Sequence, residues 1–133
     1  MLLTRRFDVP WGAGLFQAAE QPVLVYTGLE AAVPDVPAPV EVVRLVDPTP
    51  AAALADLRAR GVVTLLCEGG PTLHGALHAA GLVDELFVTV APLLTGDEAE
   101  LTVIAGGRLP DPVLLTLLSV GRHGSELFLR YAV

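Results

Sequence analysis

Residues 61–96 constrain the fold most, because they predict a strand, a glycine turn, a helix and a second strand in immediate succession. The opening run, residues 62–67, is apolar almost throughout, which is typical of a strand buried on both faces of a parallel sheet. The helix is predicted to begin at Pro71, since proline suits a first helical position, and to end at Gly81 in a left-handed cap. A second strand over residues 86–94 completes a predicted βαβ unit.

The glycine turn between the first strand and the helix has two interpretations. Its sequence is Glu68-Gly69-Gly70-Pro71-Thr72. Glycines allow a ligand to approach the backbone, and the N–H groups of a helix N-terminus favour an anion such as a phosphate. The turn matches neither a Walker A loop nor the G-x-G-x-x-G fingerprint, and glycine pairs also serve plain tight turns. Spacing alone therefore favours a structural turn over a phosphate cradle.

Three motifs, spaced as in a known family, resemble the C-terminal reductase domain of riboflavin biosynthesis. They are CEGGPTL from Cys67, AAGLVDEL from Ala79 and APLLTG from Ala91. The resemblance implies an α/β, dihydrofolate-reductase-like three-layer fold, with a mostly parallel sheet and an antiparallel C-terminal hairpin. It also implies an NADPH-dependent reductase. The cofactor-binding residues it implies around the pyrophosphate are Glu68, Gly69, Gly70, Pro71 and Thr72.

The resemblance implies a second group of cofactor-binding residues, which follow two strands nearer the N-terminus. Thr4 and Arg5, with Arg6 next, match a Thr/Ser–Arg pair that contacts the 2′-phosphate of NADPH. Arginine suits this role because its planar fork donates paired hydrogen bonds to phosphate. An exposed basic pair near a chain end is an equally weighted alternative. Thr27 and Gly28, at the end of the next strand, match positions that contact the adenine ribose.

Local patterns predict the remaining elements. Two successive strand–helix units favour a mostly parallel sheet, and the last two strands flank a glycine turn and favour a hairpin. Thr49 and Pro50 have the chemistry of an N-cap and a first helical residue, and Gly61 that of a C-terminal cap. The predicted strands are residues 1–6, 22–28, 40–46, 113–120 and 126–133; the predicted helix is 51–60; the predicted loops are 11–16, 29–39, 97–100 and 106–110, with a short strand or turn at 101–104.

Composition and charge exclude several classes of function. A net charge of −7 without a basic block argues against a nucleic-acid partner, and no apolar run approaches the ~20 residues of a membrane span. The N-terminus has no pattern of a secretion signal. The single cysteine, Cys67, excludes an internal disulfide and fits a reducing cytoplasm, where we expect it to be an inert core residue. The 133 residues fit one domain.

No motif assigns a catalytic residue or a metal site. His74 and His78 have the i, i+4 spacing that zinc sites use, but no glutamate lies between them as in H-E-x-x-H and no clear third ligand follows. Two surface histidines are the better interpretation. Asp84 and Glu85 are better explained by the start of a strand than by an acid pair. We therefore expect no metal, and the catalytic residues stay unknown.

The resemblance also implies that the family's domain begins with a longer segment than this sequence has. We therefore expect residues 1–133 to be an incomplete reductase domain, its cofactor-binding half. The implied reaction reduces a small molecule, 5-amino-6-(5-phosphoribosylamino)uracil, to its ribitylamino product. Two alternatives are a dihydrofolate-reductase-like enzyme with another substrate, such as a pterin, and a non-catalytic nucleotide-binding fragment. A homodimer, or association with a separate N-terminal chain, is expected because long apolar sheet edges invite pairing.

Overall fold

The computed structural model describes residues 1–94, 102–107, 109 and 111–133. The chain divides into two compact units, Met1–Leu65 and Leu66–Val133. Each unit is described by itself. Some predicted segments lie partly or wholly outside the described residues. They are the end of the APLLTG motif, the acidic loop 97–100, and positions 101, 108 and 110.

The first unit is built on a three-stranded parallel sheet. Its strands are β1 (Leu2–Leu3), β2 (Val23–Thr27) and β3 (Val40–Arg44), in the order β1-β2-β3. The predicted parallel pairing is confirmed here, and β2 is the central strand, as its apolar sequence indicates. β1 is shorter than predicted, because the backbone turns away after Thr4. The predicted loop 11–16 contains the start of a one-turn helix, α1 (Gly14–Gln17).

The alternating side chains of β2 divide the first unit's core into two clusters. Val23 and Val25 contact a buried set that includes Phe16, and Tyr26 contacts Ala53 and Leu57 of α2 (Pro50–Ala59). Successive strand residues point to opposite faces of a sheet, so a fully apolar strand needs cover on both. The cover here is the loop around α1 on one side and α2 on the other.

Local chemistry fixes both ends of α2, as predicted. The Thr49 hydroxyl accepts a hydrogen bond from the Ala52 N–H at 3.3 Å, and Pro50 follows it as the first helical residue. Gly61 has φ +89°, a left-handed conformation that favours glycine after a helix. These three residues start and end the helix independently of tertiary contacts.

A buried hydroxyl anchors α2 to the sheet. The Tyr26 hydroxyl donates to Asp56 Oδ2 at 2.7 Å, and Arg60 Nε donates to the same oxygen at 2.6 Å. Arg60 also reaches Glu41 on β3 with both terminal nitrogens. The hydrogen bond from Tyr26, followed by that from Arg60, holds the pKa of Asp56 below its usual range. Burial and the Asp56 hydrogen bond raise the pKa of Tyr26 to about 12.

We expect Tyr26→Phe to lower the free energy of unfolding by about 1.5–3 kcal/mol, the usual range for a hydrogen bond to a charged group. The pKa of Tyr26 is raised above the ordinary tyrosine value of 10.0 in the folded state, so its protonated form stabilises the fold. That contribution is fully present below about pH 10 and is lost as pH rises through about 12. Urea unfolding between pH 8 and 12, compared with Tyr131→Phe as a control, measures it. An equal alkaline loss in Tyr26→Phe would contradict the assignment.

The second unit contains one helix and an antiparallel sheet. The helix is α3 (Pro71–Ala79), and the strands are β4 (Glu85–Val90), β5 (Thr116–His123) and β6 (Glu126–Ala132), in the order β4-β6-β5. Gly81 has φ +63° after α3, which confirms its predicted cap. The predicted C-terminal hairpin is also confirmed; it turns at Gly124, where φ is +57°.

The prediction of a buried central strand over residues 62–67 is wrong. None of these residues forms a strand, Val63 is 97% exposed, and the half-exposed Cys67 is not in a core. No residue of this run pairs with a strand of either sheet, whose strand orders are β1-β2-β3 and β4-β6-β5. β4 is consequently not part of a parallel βαβ unit but pairs antiparallel with β6. The fold is mixed α/β, with one parallel and one antiparallel sheet.

The antiparallel sheet has one markedly apolar face. Directly opposed residues share a face, so the register places one set together: Leu86, Val88 and Val90 of β4; Leu117, Val120 and Arg122 of β5; Leu127, Leu129 and Tyr131 of β6. We call this set the apolar face. Arg122 is its one charged residue, and its Nε donates to the Gly124 carbonyl in the adjoining turn. The opposite face carries Glu85, Arg130 and Ser119.

Candidate functional site

The first group of predicted site residues lies at the carboxyl edge of the parallel sheet. The Thr4 N–H donates to the Tyr26 carbonyl at 2.9 Å, which extends the pairing one residue beyond β1. The Leu45 N–H donates to the Thr27 carbonyl at 2.8 Å on the other side of β2. Thr4 and Thr27 therefore end adjacent strands at the edge where ligands bind to open α/β sheets.

Arg5 and Arg6 follow Thr4 in a bend and are both exposed. No carboxylate of the described residues forms an ion pair with either guanidinium. Arg44, at the end of β3, does form an ion pair, because its Nη1 is 2.7 Å from Glu30 Oε1. The free positive charge in this part of the sheet edge therefore comes from Arg5 and Arg6. Two uncommitted guanidinium groups provide the donors that a phosphate requires.

Thr27 and Gly28 have structural roles that the sequence does not reveal. The Thr27 side chain is fully buried, and its hydroxyl accepts from the Leu29 N–H at 3.2 Å. A Cβ at position 28 would lie 3.3 Å from Pro48 Cδ and 3.4 Å from the Leu45 carbonyl oxygen. Close packing thus explains glycine at this position, and a ribose contact by Thr27 or Gly28 stays a prediction.

The second group of predicted site residues surrounds the N-terminus of α3. Glu68 and Gly69 precede the helix, Gly70 is its N-cap, and Pro71 and Thr72 open its first turn. No side chain caps this end, whereas the Thr49 hydroxyl caps α2. The amide dipoles of such an end attract negative charge. The two groups of predicted residues belong to different units of the chain.

The two glycines of the turn differ in their surroundings. A Cβ on Gly69 would lie 2.7 Å from Leu73 Cδ2 and 3.6 Å from Cys67 Sγ, so packing accounts for it. A Cβ on Gly70 would meet nothing within 4 Å, and its φ of −53° is open to any residue. Neither strain nor packing within the described residues requires glycine at position 70, and glycine is among the residues favoured at an N-cap. Contact between Gly70 and a cofactor stays a prediction.

Ala105 and Gly106, where the predicted loop 106–110 begins, lie against α3. The Ala105 N–H donates to the Pro71 carbonyl at 3.0 Å, and a Cβ on Gly106 would lie 3.1 Å from Thr72 Cγ2. Gly75 is buried, and a side chain there would collide with the Ala105 carbonyl. Packing therefore explains glycine at this position. Ala105 and Gly106 thus border the helix N-terminus. The signals that could have indicated this are the mid-helix glycine and the Gly106-Gly107 pair.

His74 and His78 lie one turn apart on α3. Among the described residues no cluster of three metal-ligating side chains exists. The interpretation of both as surface histidines is correct only in part, because both are half-buried. His74 Nε2 lies 3.4 Å from the Cys67 carbonyl, and His78 Nδ1 is buried without a hydrogen-bond partner among those residues.

No helix in the described part of the chain is long and apolar enough to cross a bilayer.

These observations define a mixed α/β protein with one parallel and one antiparallel sheet. The chain belongs to the RibD C-terminal domain family, whose sequence model matches residues 1–129. This family consists of pyrimidine reductases of riboflavin biosynthesis. The resemblance inferred from the three motifs is thereby confirmed.

Two curated relatives are much longer than the segments that this chain matches. It is 32% identical over 83 residues to the 2,5-diamino-6-ribosylamino-4(3H)-pyrimidinone 5′-phosphate reductase of Methanothermobacter thermautotrophicus, covering 60% of this chain and 38% of that protein. It is 66% identical over 32 residues to the riboflavin biosynthesis protein RibD of Escherichia coli, covering 24% of this chain and 9% of that protein. The chain therefore matches well under half the length of either relative.

Two solved structures share the fold. RibD of Acinetobacter baumannii has a TM-score of 0.72 at 22% identity, over 96% of this chain and 35% of that chain. A pyrimidine reductase-like protein from Corynebacterium diphtheriae has a TM-score of 0.70 at 23% identity, over 98% of this chain and 58% of that chain. At these identities the likeness concerns the fold alone.

Proposed function

We propose that this chain is the cofactor-binding part of an NADPH-dependent pyrimidine reductase. The observation that carries the proposal is the pair of exposed, uncommitted guanidinium groups, Arg5 and Arg6, at the carboxyl edge of the parallel sheet. The 2′-phosphate is the group that distinguishes NADPH from NADH. Charge-assisted hydrogen bonds to an anion are about twice as strong as neutral ones, so an arginine pair favours the phosphorylated cofactor.

The α3 N-terminus supports the same proposal through different chemistry. Its uncapped amide end and the open space at Gly70 suit the pyrophosphate, because phosphate oxygens need backbone N–H donors and close approach. Glu68, Pro71 and Thr72 border this end and are the other proposed cofactor-binding residues of the second unit. The dihydrofolate-reductase-like, three-layer domain implied by the resemblance is part of this proposal.

The proposed substrate is 5-amino-6-(5-phosphoribosylamino)uracil, a phosphorylated ribosylaminopyrimidine. If bound, NADPH would supply a hydride to the ribosyl carbon, and with one proton from solvent this reduction would open the sugar to a ribityl chain. The chain's own contribution in this proposal is to bind and orient the phosphate groups of the cofactor. No described residue is assigned as a general acid or base. The catalytic residues stay unassigned, and binding without turnover is the outcome that would favour a non-catalytic nucleotide-binding role.

Titration of the native chain with NADPH and with NADH tests the proposal directly. We expect NADPH to bind at least about tenfold more tightly, since one charge-assisted hydrogen bond to the 2′-phosphate contributes about 1.5–3 kcal/mol. Quenching of the single tryptophan or calorimetry measures both dissociation constants. Equal affinity for the two cofactors would contradict the assignment of NADPH.

We also propose that the apolar face pairs with the same face of a second copy of this chain. Val120 is 56% exposed and Leu117 51% exposed, so strongly apolar side chains face water in the single chain. The one charged residue of the face, Arg122, donates to the Gly124 carbonyl in the turn at the end of the sheet. A copy of the same face therefore covers the apolar side chains without burying a carboxylate, and two-fold symmetry is the commonest closed arrangement.

Val120→Lys should shift the chain from dimer to monomer in sedimentation, because it places an ammonium group on the apolar face. Ser119→Lys, the neighbouring residue on the opposite face of β5, is the matched control and should leave the dimer intact. A native chain that sediments at the mass of one chain contradicts the pairing. A dimer that survives Val120→Lys contradicts this choice of face.

A further inference from the structure

Phe7 has a backbone conformation that is unusual for its residue type. Its φ is +55°, and it is the one non-glycine residue with a positive φ in the described part of the chain. The left-handed region is strained for an ordinary residue, so surrounding contacts must hold Phe7 there. Phe7 directly follows Arg6, at the point where the chain leaves the sheet after Thr4.

A series of aromatic contacts holds Phe7 in place. Its ring lies 5.6 Å from that of Trp11, which in turn lies 4.8 Å from that of Phe16, a fully buried residue. Trp11 is itself fixed on both sides, because its N–H donates to the Val9 carbonyl at 2.9 Å and its carbonyl accepts from Gln17 Nε2 at 3.0 Å. The strained residue is therefore anchored to the core of the first unit.

Phe7 fixes the far end of the bend that carries the two arginines. Thr4 pairs with β2 at the near end. Arg5 and Arg6 are exposed in the bend, and Phe7 follows them directly with its ring against Trp11. The ring thus restricts the backbone to which both guanidinium groups are attached.

We infer that Phe7, held by Trp11, is a positioning residue that presents the arginine bend to the 2′-phosphate of the cofactor. The inference rests on the proposed NADPH function and adds Phe7 as a residue on which the preference of the bend for NADPH over NADH depends. A guanidinium on a constrained backbone loses less conformational entropy when it binds, so preorganisation contributes to affinity. The selectivity between NADPH and NADH then depends on Phe7, although Phe7 touches neither cofactor.

The variants are designed to separate positioning from general stability. Phe7→Ala removes the ring, and Phe7→Tyr keeps it. Val23→Ala removes methyl groups from the same apolar cluster at the amino end of β2, away from the arginine bend. We expect Phe7→Ala to reduce the NADPH-to-NADH affinity ratio about tenfold or more, with the NADH affinity nearly unchanged. Phe7→Tyr should restore the native ratio, and Val23→Ala should lower the melting temperature without changing the ratio.

Trypsin provides a second measurement that needs no cofactor. Cleavage after Arg5 and Arg6, followed by mass spectrometry and normalised to cleavage after Arg122, should accelerate in Phe7→Ala but not in Val23→Ala. Unchanged cleavage, or a native ratio in Phe7→Ala, overturns the inference while the proposed function stands. Equal affinities for NADPH and NADH in the native chain contradict the proposed function itself, together with this inference, before any variant is compared.

Discussion

Gly70→Val is expected to abolish cofactor binding while leaving the stability of the chain close to that of the native protein. The expectation follows from the surroundings of Gly70. Its φ of −53° is accessible to valine, and a Cβ there meets no atom within 4 Å. Replacing glycine by valine at an N-cap costs at most about 1 kcal/mol. The branched side chain would instead occupy the space that phosphate oxygens need above the first turn of α3.

Two further substitutions make the Gly70 experiment decisive. Gly69→Val differs in its surroundings, because its Cβ would meet Leu73 Cδ2 at 2.7 Å and the Leu73 side chain must move. We therefore expect a lower melting temperature for Gly69→Val than for Gly70→Val. Gly12→Val, at an exposed position with equally open space in the first unit, controls for the chemical change itself. Melting temperature and NADPH dissociation constant are measured for all three variants. Retention of native affinity by Gly70→Val would show that the turn is structural.

Capping chemistry made the helices predictable from sequence. Thr49 and Pro50 start α2, and Gly61 and Gly81 end α2 and α3, through interactions confined to a few neighbouring residues. The glycine turn between the last two strands is similarly local, and the hairpin it predicts is present. Such features depend on backbone preferences that the residue type alone determines.

Strand pairing was less predictable, because it depends on residues distant in the sequence. Residues 23–27 and 62–67 are both apolar runs, but only the first finds neighbours on both edges. An apolar run specifies that burial would be favourable and does not specify a partner. The same limitation explains why β4 was assigned to a parallel sheet, since its partner β6 lies almost 40 residues further along the chain.

The candidate site was predictable in its residue types and not in their roles. The sequence indicates a glycine pair, but only the three-dimensional surroundings separate Gly69, which packs against Leu73, from Gly70, which contacts nothing. Phe7 gave no signal at all, because a phenylalanine seldom adopts a left-handed backbone. The contact between Gly75 and Ala105 joins residues 30 positions apart, so no local pattern contains it.

Replacing both Arg5 and Arg6 by alanine is expected to remove the preference for NADPH over NADH. Each charge-assisted hydrogen bond to the 2′-phosphate contributes about 1.5–3 kcal/mol, which corresponds to roughly 10- to 150-fold in affinity. The affinity for NADH should change little, because NADH has no phosphate at that position. Both side chains are exposed and form no ion pair among the described residues, so the free energy of unfolding should stay near the native value.

Charge and geometry can be separated with two further variants of the arginine pair. Arg5→Lys with Arg6→Lys keeps both positive charges but loses the planar fork, so part of the NADPH preference should remain. Arg58→Ala removes an exposed positive charge from α2, in the same unit, and should leave the preference unchanged. If Arg58→Ala reduces the preference as much as the double alanine variant, the effect comes from net charge. A double alanine variant that still prefers NADPH would exclude both arginines from the 2′-phosphate site, because no other interaction assigned to them here distinguishes the two cofactors.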